Sequence, residues 1–508
     1  METEAVMDIR GHAARAAALL LAVLFSACSG TAAPSNATTA SPVLSAPATA
    51  STAKPAEAIA TPRPMDLVGK FSLNPTHGPL GSAVTASGVG LKPRTTYAIT
   101  WTSVKGSWKL SEDRSQFLGR EFAPIYVPMA SVTTDALGAF TTSFSVPTED
   151  FGFQHDVLVM DAQSVIRNKS AFDVDLQVSI SPTSGPVGTP ITIQAKGLGW
   201  RPYQGSWLVA YDDRFTGLLS GVTTQGMARG VIPAAGGVGT HVVTVLGGDL
   251  TFMYLNVRQG PFPDRPEFRI PFTITDGPPV LPAPFEQQRA AVLPGTTAAS
   301  GLSVSPASGI VGSRATLAGK ALPANRDVVL TYLTQVGNRV GGTGFGASSR
   351  PLGTVRTDAS GSFSWDFSVP DDLGGAHTIV AKAGDEVVGQ TQFTIQPNAF
   401  PLSVGRGPSG TETKVHLKGV GWTETANTYM VTVDNGYLGY VCGFNSAGDV
   451  EMTLPISGDR GWHFIDMYPG IYKGKETQPV NYRMPQLSYA RDHPGEILPA
   501  FHFAFYVE

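Results

Sequence analysis

Four times along its 508 residues the chain repeats one opening, and a chain that repeats a unit of roughly a hundred residues folds as copies of one module. The first opening is Leu73-Asn74-Pro75-Thr76-His77-Gly78-Pro79-Leu80-Gly81, and the second is Ile180-Ser181-Pro182-Thr183-Ser184-Gly185-Pro186-Val187-Gly188. The third is Val304-Ser305-Pro306-Ala307-Ser308-Gly309-Ile310-Val311-Gly312. The fourth, Leu402-Ser403-Val404-Gly405-Arg406-Gly407-Pro408-Ser409-Gly410, is looser. Apolar and polar residues then alternate, as in Pro190-Ile191-Thr192-Ile193-Gln194-Ala195, which is the period of a half-buried strand. A Gly-rich corner follows, as in Gly197-Leu198-Gly199-Trp200 and Gly419-Val420-Gly421-Trp422. The module ends repeat too, with a Gly turn, a strand ending in Pro, and then His155, His241, His377 or His463.

The second and fourth modules align without gaps at an offset of 222, so that Trp200 matches Trp422, Asp212 matches Asp434 and His241 matches His463. The first and third share an Asp-x-x-Gly-x-Phe turn at Asp135 and Asp358, and a Phe-Ser-Val-Pro strand end. The order is therefore A-B-A-B. Proline fixes the entry to each turn, and glycine allows positive φ where the chain reverses. This strand, Pro-x-x-Gly-x-x-Gly turn, strand and Gly-rich bend resembles the opening of IPT/TIG domains, a group of immunoglobulin-like folds. The resemblance implies an all-β fold class, with four tandem Ig-like β-sandwich domains. They are expected at 66–175 (type A), 176–276 (type B), 301–398 (type A) and 399–508 (type B), with a Pro/Ala-rich linker at 277–300. The short junctions within each A-B pair and the long linker between pairs predict two semi-rigid units joined by a hinge.

Ahead of the modules lies an address. Arg10 and Arg15 precede a ten-residue apolar run, Ala16 to Phe25, which is too short to span a bilayer and suits a signal peptide over residues 1–27. The following Phe25-Ser26-Ala27-Cys28 resembles a lipobox, which implies lipid attachment at Cys28 and a membrane partner through that anchor. Of the 34 residues 31–64, 27 are Ala, Ser, Thr or Pro, so residues 28–65 are expected to be a disordered tether without a packed core. With Cys28 acylated, Cys442 has no intramolecular mate, and its place in Tyr440-Val441-Cys442-Gly443 fits a small buried apolar residue. The localisation expected is outside the cytoplasm, lipid-anchored to a bacterial membrane.

Motifs of catalysis are missing. There is no Gly-x-Ser-x-Gly elbow, no His-Glu-x-x-His and no zinc spacing, and Gly341–Gly346 lacks the dinucleotide pattern. No catalytic residue, metal site or cofactor is therefore expected. Net charge −4 excludes the basic footprint of a nucleic-acid binder. The repeated histidines fit either one metal or base per module, or side chains that tie a strand start to a loop. The paired acids Glu149-Asp150, Asp212-Asp213 and Asp371-Asp372 fit calcium ligands or turn residues, and the lack of an Asp-x-Asp-x-Asp run favours turns. Trp101, Trp108 and Trp207 fit core or rim, and core is favoured because sandwiches usually bury one Trp. One element is less generic. Tyr211-Asp212-Asp213-Arg214-Phe215 and Val433-Asp434-Asn435-Gly436-Tyr437 each set an aromatic three residues after an acid. A carboxylate beside an aromatic face suits a sugar, so Tyr211, Asp212, Phe215, Asp434 and Tyr437 are candidate ligand-binding residues; the same spacing suits a hairpin turn.

These features point to a non-catalytic surface lipoprotein for binding, adhesion or envelope assembly, with a glycan or surface protein as ligand and reach and avidity from a tethered rod. Two alternatives stand beside it. One is an extracellular enzyme, or an enzyme's accessory lipoprotein, acting on polysaccharide or peptide with a site built from the unmatched ends of the B modules, 246–270 and 468–500. The other is a purely structural stalk. The lipid expectation is checked by mass spectrometry of the N-terminal peptide: an acylated Cys28 is expected, and Cys28→Ser is expected to release the chain from membranes.

Overall fold

The computed structural model of the chain describes residues 65–508 except 248–252, 254, 257–258, 260–265, 290–300, 339–343, 444 and 473–481. The expected signal peptide, Cys28 and all but the last residue of the expected tether lie outside the described residues.

The four openings each lead into the same pair of sheets. In the first module, Ala83–Val89 is flanked by Lys70–Asn74 and Phe140–Ser145 in a three-stranded antiparallel sheet. Val84 and Ala86 point inward and their neighbours outward, as the alternation requires. Facing it is a five-stranded sheet in the order His77–Gly78, Ile166–Val174, Phe153–Met160, Thr96–Leu110, Phe117–Thr133. The Pro-x-x-Gly turn carries the chain from one sheet to the other: His77-Gly78 leaves the first and pairs in parallel with Asp173-Val174 of the second. The other three modules repeat this three-plus-five order strand for strand, which is an Ig-like sandwich in A-B-A-B array. Each core fills the space between its sheets, around fully buried Trp101 in the first module and Trp207 in the second.

Within each A-B pair the junction is a backbone contact built on glycine. The Gly152 N–H donates to Leu198 O at 2.9 Å, and Gly374 N–H, 222 residues on, donates to Val420 O at 3.0 Å. A Cβ at Gly152 would stand 1.8 Å from Gly197 O, and one at Gly374 would stand 1.9 Å from Gly419 O. No side chain fits at either place. Asp150 and Asp372, expected in turns, are instead buried beside these junctions. Asp150 accepts from Trp101 Nε1 and from Phe151 N–H, both at 2.8 Å, and from the Ser103 hydroxyl. A carboxylate this deep needs such donors to offset its desolvation.

Over its described residues, 277–289, the linker expected at 277–300 is docked and not a free hinge. Val280 N–H donates to Val187 O, Phe285 packs on Phe503, and Gln288 bonds the His502 backbone on both sides. The B modules also share a core: Phe464, Tyr468 and Leu487 of the fourth module belong to the hydrophobic cluster of the second. The physical reason is the open flank of the second sandwich, between the edge strands Arg214–Ser220 and Met227–Pro233. The fourth module closes it with the segment that follows its strand Gly461–Gly470. Leu218 N–H donates to Pro485 O at 2.8 Å and Leu487 N–H donates to Leu218 O at 2.9 Å, which is parallel strand addition. The Leu487 side chain is buried in the gap.

Five residues on, Asp492 is buried and fastens three modules together. Its carboxylate accepts from Trp108 Nε1 (3.0 Å) of the first module, and from Ser220 Oγ (2.7 Å), Val222 N, Thr223 N and Thr223 Oγ1 (each 2.8 Å) of the second. The first module reaches this point on a long hairpin, Thr96–Leu110 with Phe117–Thr133, whose 15-residue arm extends about 50 Å. At its tip, Phe117 N–H donates to Glu424 Oε2 and Ser115 O accepts from Glu424 N–H, so it also touches the fourth module. Asp492→Ala is expected to destabilise the chain by about 3 kcal/mol or more, because a buried donor left without a partner costs about 1–3. Gly152→Ala is expected to cost about 2–4 kcal/mol by forcing its junction apart. Urea midpoints measure both.

Candidate functional site

The sequence candidates Tyr211, Asp212 and Asp434 lie on different modules yet line one cleft of about 520 Å³ between the second and fourth sandwiches. Each B module contributes a two-residue hairpin turn. Asp212 and Asp213 have φ of 47° and 62°, and Asp434 and Asn435 repeat the same pair of values. Two central residues at positive φ make the tight turn that matches strand twist, and Asp and Asn tolerate it. The hairpin reading of this spacing is therefore what forms, and the turns place their acids at the cleft rim.

Each acid is held by the repeated histidine of its own module. Asp434 Oδ2 meets His463 Nδ1 at 2.7 Å, while Asp434 Oδ1 accepts from Phe464 N–H at 2.9 Å. Asp212 does the same with His241 (2.5 Å) and Val242 N–H (2.9 Å). The second ring nitrogen sits against Asp459 O in one module and Gly237 O in the other. In the A modules the same histidine is buried between two carbonyls: Thr102 and Phe151 for His155, Leu333 and Leu373 for His377. The four histidines tie strand starts to loops, and among the described residues no group of three or more His, Cys, Asp or Glu could hold a metal ion.

Tyr211 does not present its face to the cleft. Its ring is buried and stacks on His241 at 5.6 Å and 12°, its hydroxyl donates to Ala235 O, and burial pushes the hydroxyl pKa up. Phe215 and Tyr437 are withdrawn as well. They are counterparts at the 222 offset, and they meet edge to face at 6.0 Å. Arg214 and Gly436, the preceding counterparts, also lie side by side: a Cβ at Gly436 would stand 3.4 Å from Arg214 Cδ. Counterpart on counterpart is the mark of an isologous contact, so these aromatics join the modules. The cleft wall that sequence reasoning missed is cationic and aromatic: Arg214, Arg460 and Trp462. Arg214 and Arg460 are exposed, and the Arg460 contact, 3.5 Å to Tyr506 Oη, is long. A residue's place beside a cleft made by two modules leaves no local sequence signal.

The hydrogen bond that His463 donates to the Asp434 carboxylate raises the His463 pKa above the ordinary 6.5, against the opposing effect of burial. A histidine raised in the folded state stabilises it fully below about pH 6.5, and that contribution fades as pH rises through the folded value. Asp434→Asn is therefore expected to lower the His463 titration midpoint seen by NMR. It is also expected to remove part of the stability gained on going from pH 8 to pH 6.

No protein-family model matches the chain, and no curated protein matches it. Among solved structures, Salmonella alpha-2-macroglobulin reacted with methylamine aligns at 11% identity over 87% of this chain and 31% of its own, with a TM-score of 0.18. The tetra-tandem repeat in the extending region of a large adhesion protein aligns at 13% identity over 86% of this chain and 99% of its own, TM-score 0.18. A putative membrane anchored protein from Corynebacterium diphtheriae aligns at 13% identity over 64% and 91%, TM-score 0.19. The chain spans about a third of the length of the macroglobulin. Superpositions this poor carry no functional argument, and the Ig-like assignment rests on the sheets of this chain.

Proposed function

We propose that the chain is a non-catalytic, lipid-anchored protein of the bacterial cell surface, and that it binds a glycan in the cleft between its B modules. The observation that supports the ligand site is the convergence of Asp212, Asp434, Arg214, Arg460 and Trp462 on one opening of about 520 Å³. The carboxylates are fixed in orientation by histidine and backbone N–H groups, so each offers its remaining lone pairs without a further ordering cost. Guanidinium groups and an indole ring supply donors and apolar surface, the combination a pyranose ring asks for. The address at residues 1–28 supports the location.

The enzyme reading rested on the unmatched ends of the B modules. Much of the later one, residues 482–500, is structural: Leu487 fills a core and Asp492 is saturated by five donors. A stalk that only presents a partner accounts less well for a closed body with a polar cleft. A glycan array with the full-length chain tests the proposal. Saturable binding is expected, weakened at least about tenfold, or 1.4 kcal/mol, by Arg214→Ala or Arg460→Ala with unchanged melting temperature. Binding indifferent to both substitutions, or release of product from the glycan, contradicts it.

A further inference from the structure

The two B modules share one strand order, yet among the described residues only the second has its flank closed. In the second module, Gly217 and Leu218 carry the added segment: a Cβ at Gly217 would stand 2.6 Å from Pro485 O, and Leu218 is 2% exposed. Their counterparts in the fourth module, Gly439 and Tyr440, lie on the edge strand Gly436–Cys442. Here nothing stands within 4 Å of a Cβ built at Gly439, Leu438 is 61% exposed and Tyr440 is 52% exposed. The register is the same on both modules, Leu208 opposite Leu218 and Met430 opposite Tyr440, with the bulge at the matching place. So Tyr440 turns its N–H and C=O outward as Leu218 does, and among the described residues nothing bonds them there. Behind the edge, Val441, Met452 and Leu454 are only partly covered, whereas Ile232, the counterpart of Leu454, is fully buried.

We propose that this flank of the fourth module is a docking groove for an extended, apolar peptide strand of a partner protein. The occupant's chemistry is written in the second module. It is a strand running parallel to the edge, with a carbonyl placed as that of Pro485, an N–H placed as that of Leu487, and an aliphatic side chain dropped between the sheets. Backbone bonds to Tyr440 supply affinity, and the aliphatic plug supplies selection. An open edge with outward apolar side chains is otherwise a liability that proteins blunt with charge or proline, and residues 436–442 contain neither. This groove is separate from the glycan cleft, and the proposal stands or falls independently of that reading.

The test uses a fluorescent peptide with the sequence of residues 482–492 and the purified full-length chain, with binding read by anisotropy. Two variants report on the groove. Gly439→Val occupies the space that the peptide carbonyl needs, in a place where the free chain has room. Tyr440→Pro removes the outward N–H, which an edge strand tolerates. The expected result is saturable binding to the natural chain, weakened at least about tenfold in both variants while their melting temperatures stay within a few degrees. The same peptide with Asp at the Leu487 position is expected not to bind. Absence of binding, or binding by both variants as tight as by the natural chain (as displacement of the segment on the second module would give), overturns the proposal. A concentration-dependent dimer abolished by Gly439→Val also overturns it, by making a second copy the occupant.

Discussion

The packing of the four modules depends on one borrowed segment. The second sandwich has a gap between its two sheets, and the fourth module fills it with Leu487 and bolts the filling in place with Asp492. Burying a leucine side chain is worth about 1.5–3 kcal/mol. The parallel strand pairing through Leu218 and the five donors on Asp492 add direction to that gain. Apolar burial alone would accept many poses; a buried carboxylate accepts only one in which all its donors converge. Three modules are thereby fixed at a single point, although the segment lies 268 residues from the strand it bonds.

From that point the rest of the arrangement follows. The long hairpin of the first module is positioned to deliver Trp108 to Asp492 and Phe117 to Glu424, and a shorter hairpin would reach neither. The third module lacks such arms, with strands of 12 and 13 residues against 15 and 17, and its ties run to the fourth module at the Gly374 junction and between Phe345 and Trp422. The docked linker residues 277–289 lie along the same B-to-B contact. The candidate cleft is a by-product of that contact: two turns that would face solvent on separate modules face each other once the gap is closed.

The sandwiches themselves were legible because their cause is local. Alternation such as that of Pro190–Ala195 buries one face, Pro-x-x-Gly marks the change of sheet, and Asp434-Asn435-Gly436 specifies a tight turn, each within a few residues. The 222 offset exposed the pairing of modules for the same reason. What stayed hidden is long-range. Nothing near Asp492 in sequence announces Trp108 or Ser220, and Asp150 looks like any acid beside a turn until its Trp101 partner is seen. Of the five candidate ligand residues, Asp212 and Asp434 reach the cleft rim. Tyr211 is buried against His241, and the half-buried Phe215 and Tyr437 meet each other across the module contact, because an aromatic ring near an interface gains more from packing than from waiting for a ligand. Arg214 sat inside the motif unremarked, since an exposed arginine has no local signature of function.

The central claim is that the two A-B pairs form one body. It is tested most directly by cutting the chain between them. A protease site placed within residues 293–298 allows cleavage after folding, followed by native size-exclusion chromatography. The account predicts that both halves elute together at the volume of the uncut protein, and that they separate once Asp492 is replaced by Ala. Two halves that part freely on cleavage, with Asp492 intact, would contradict it.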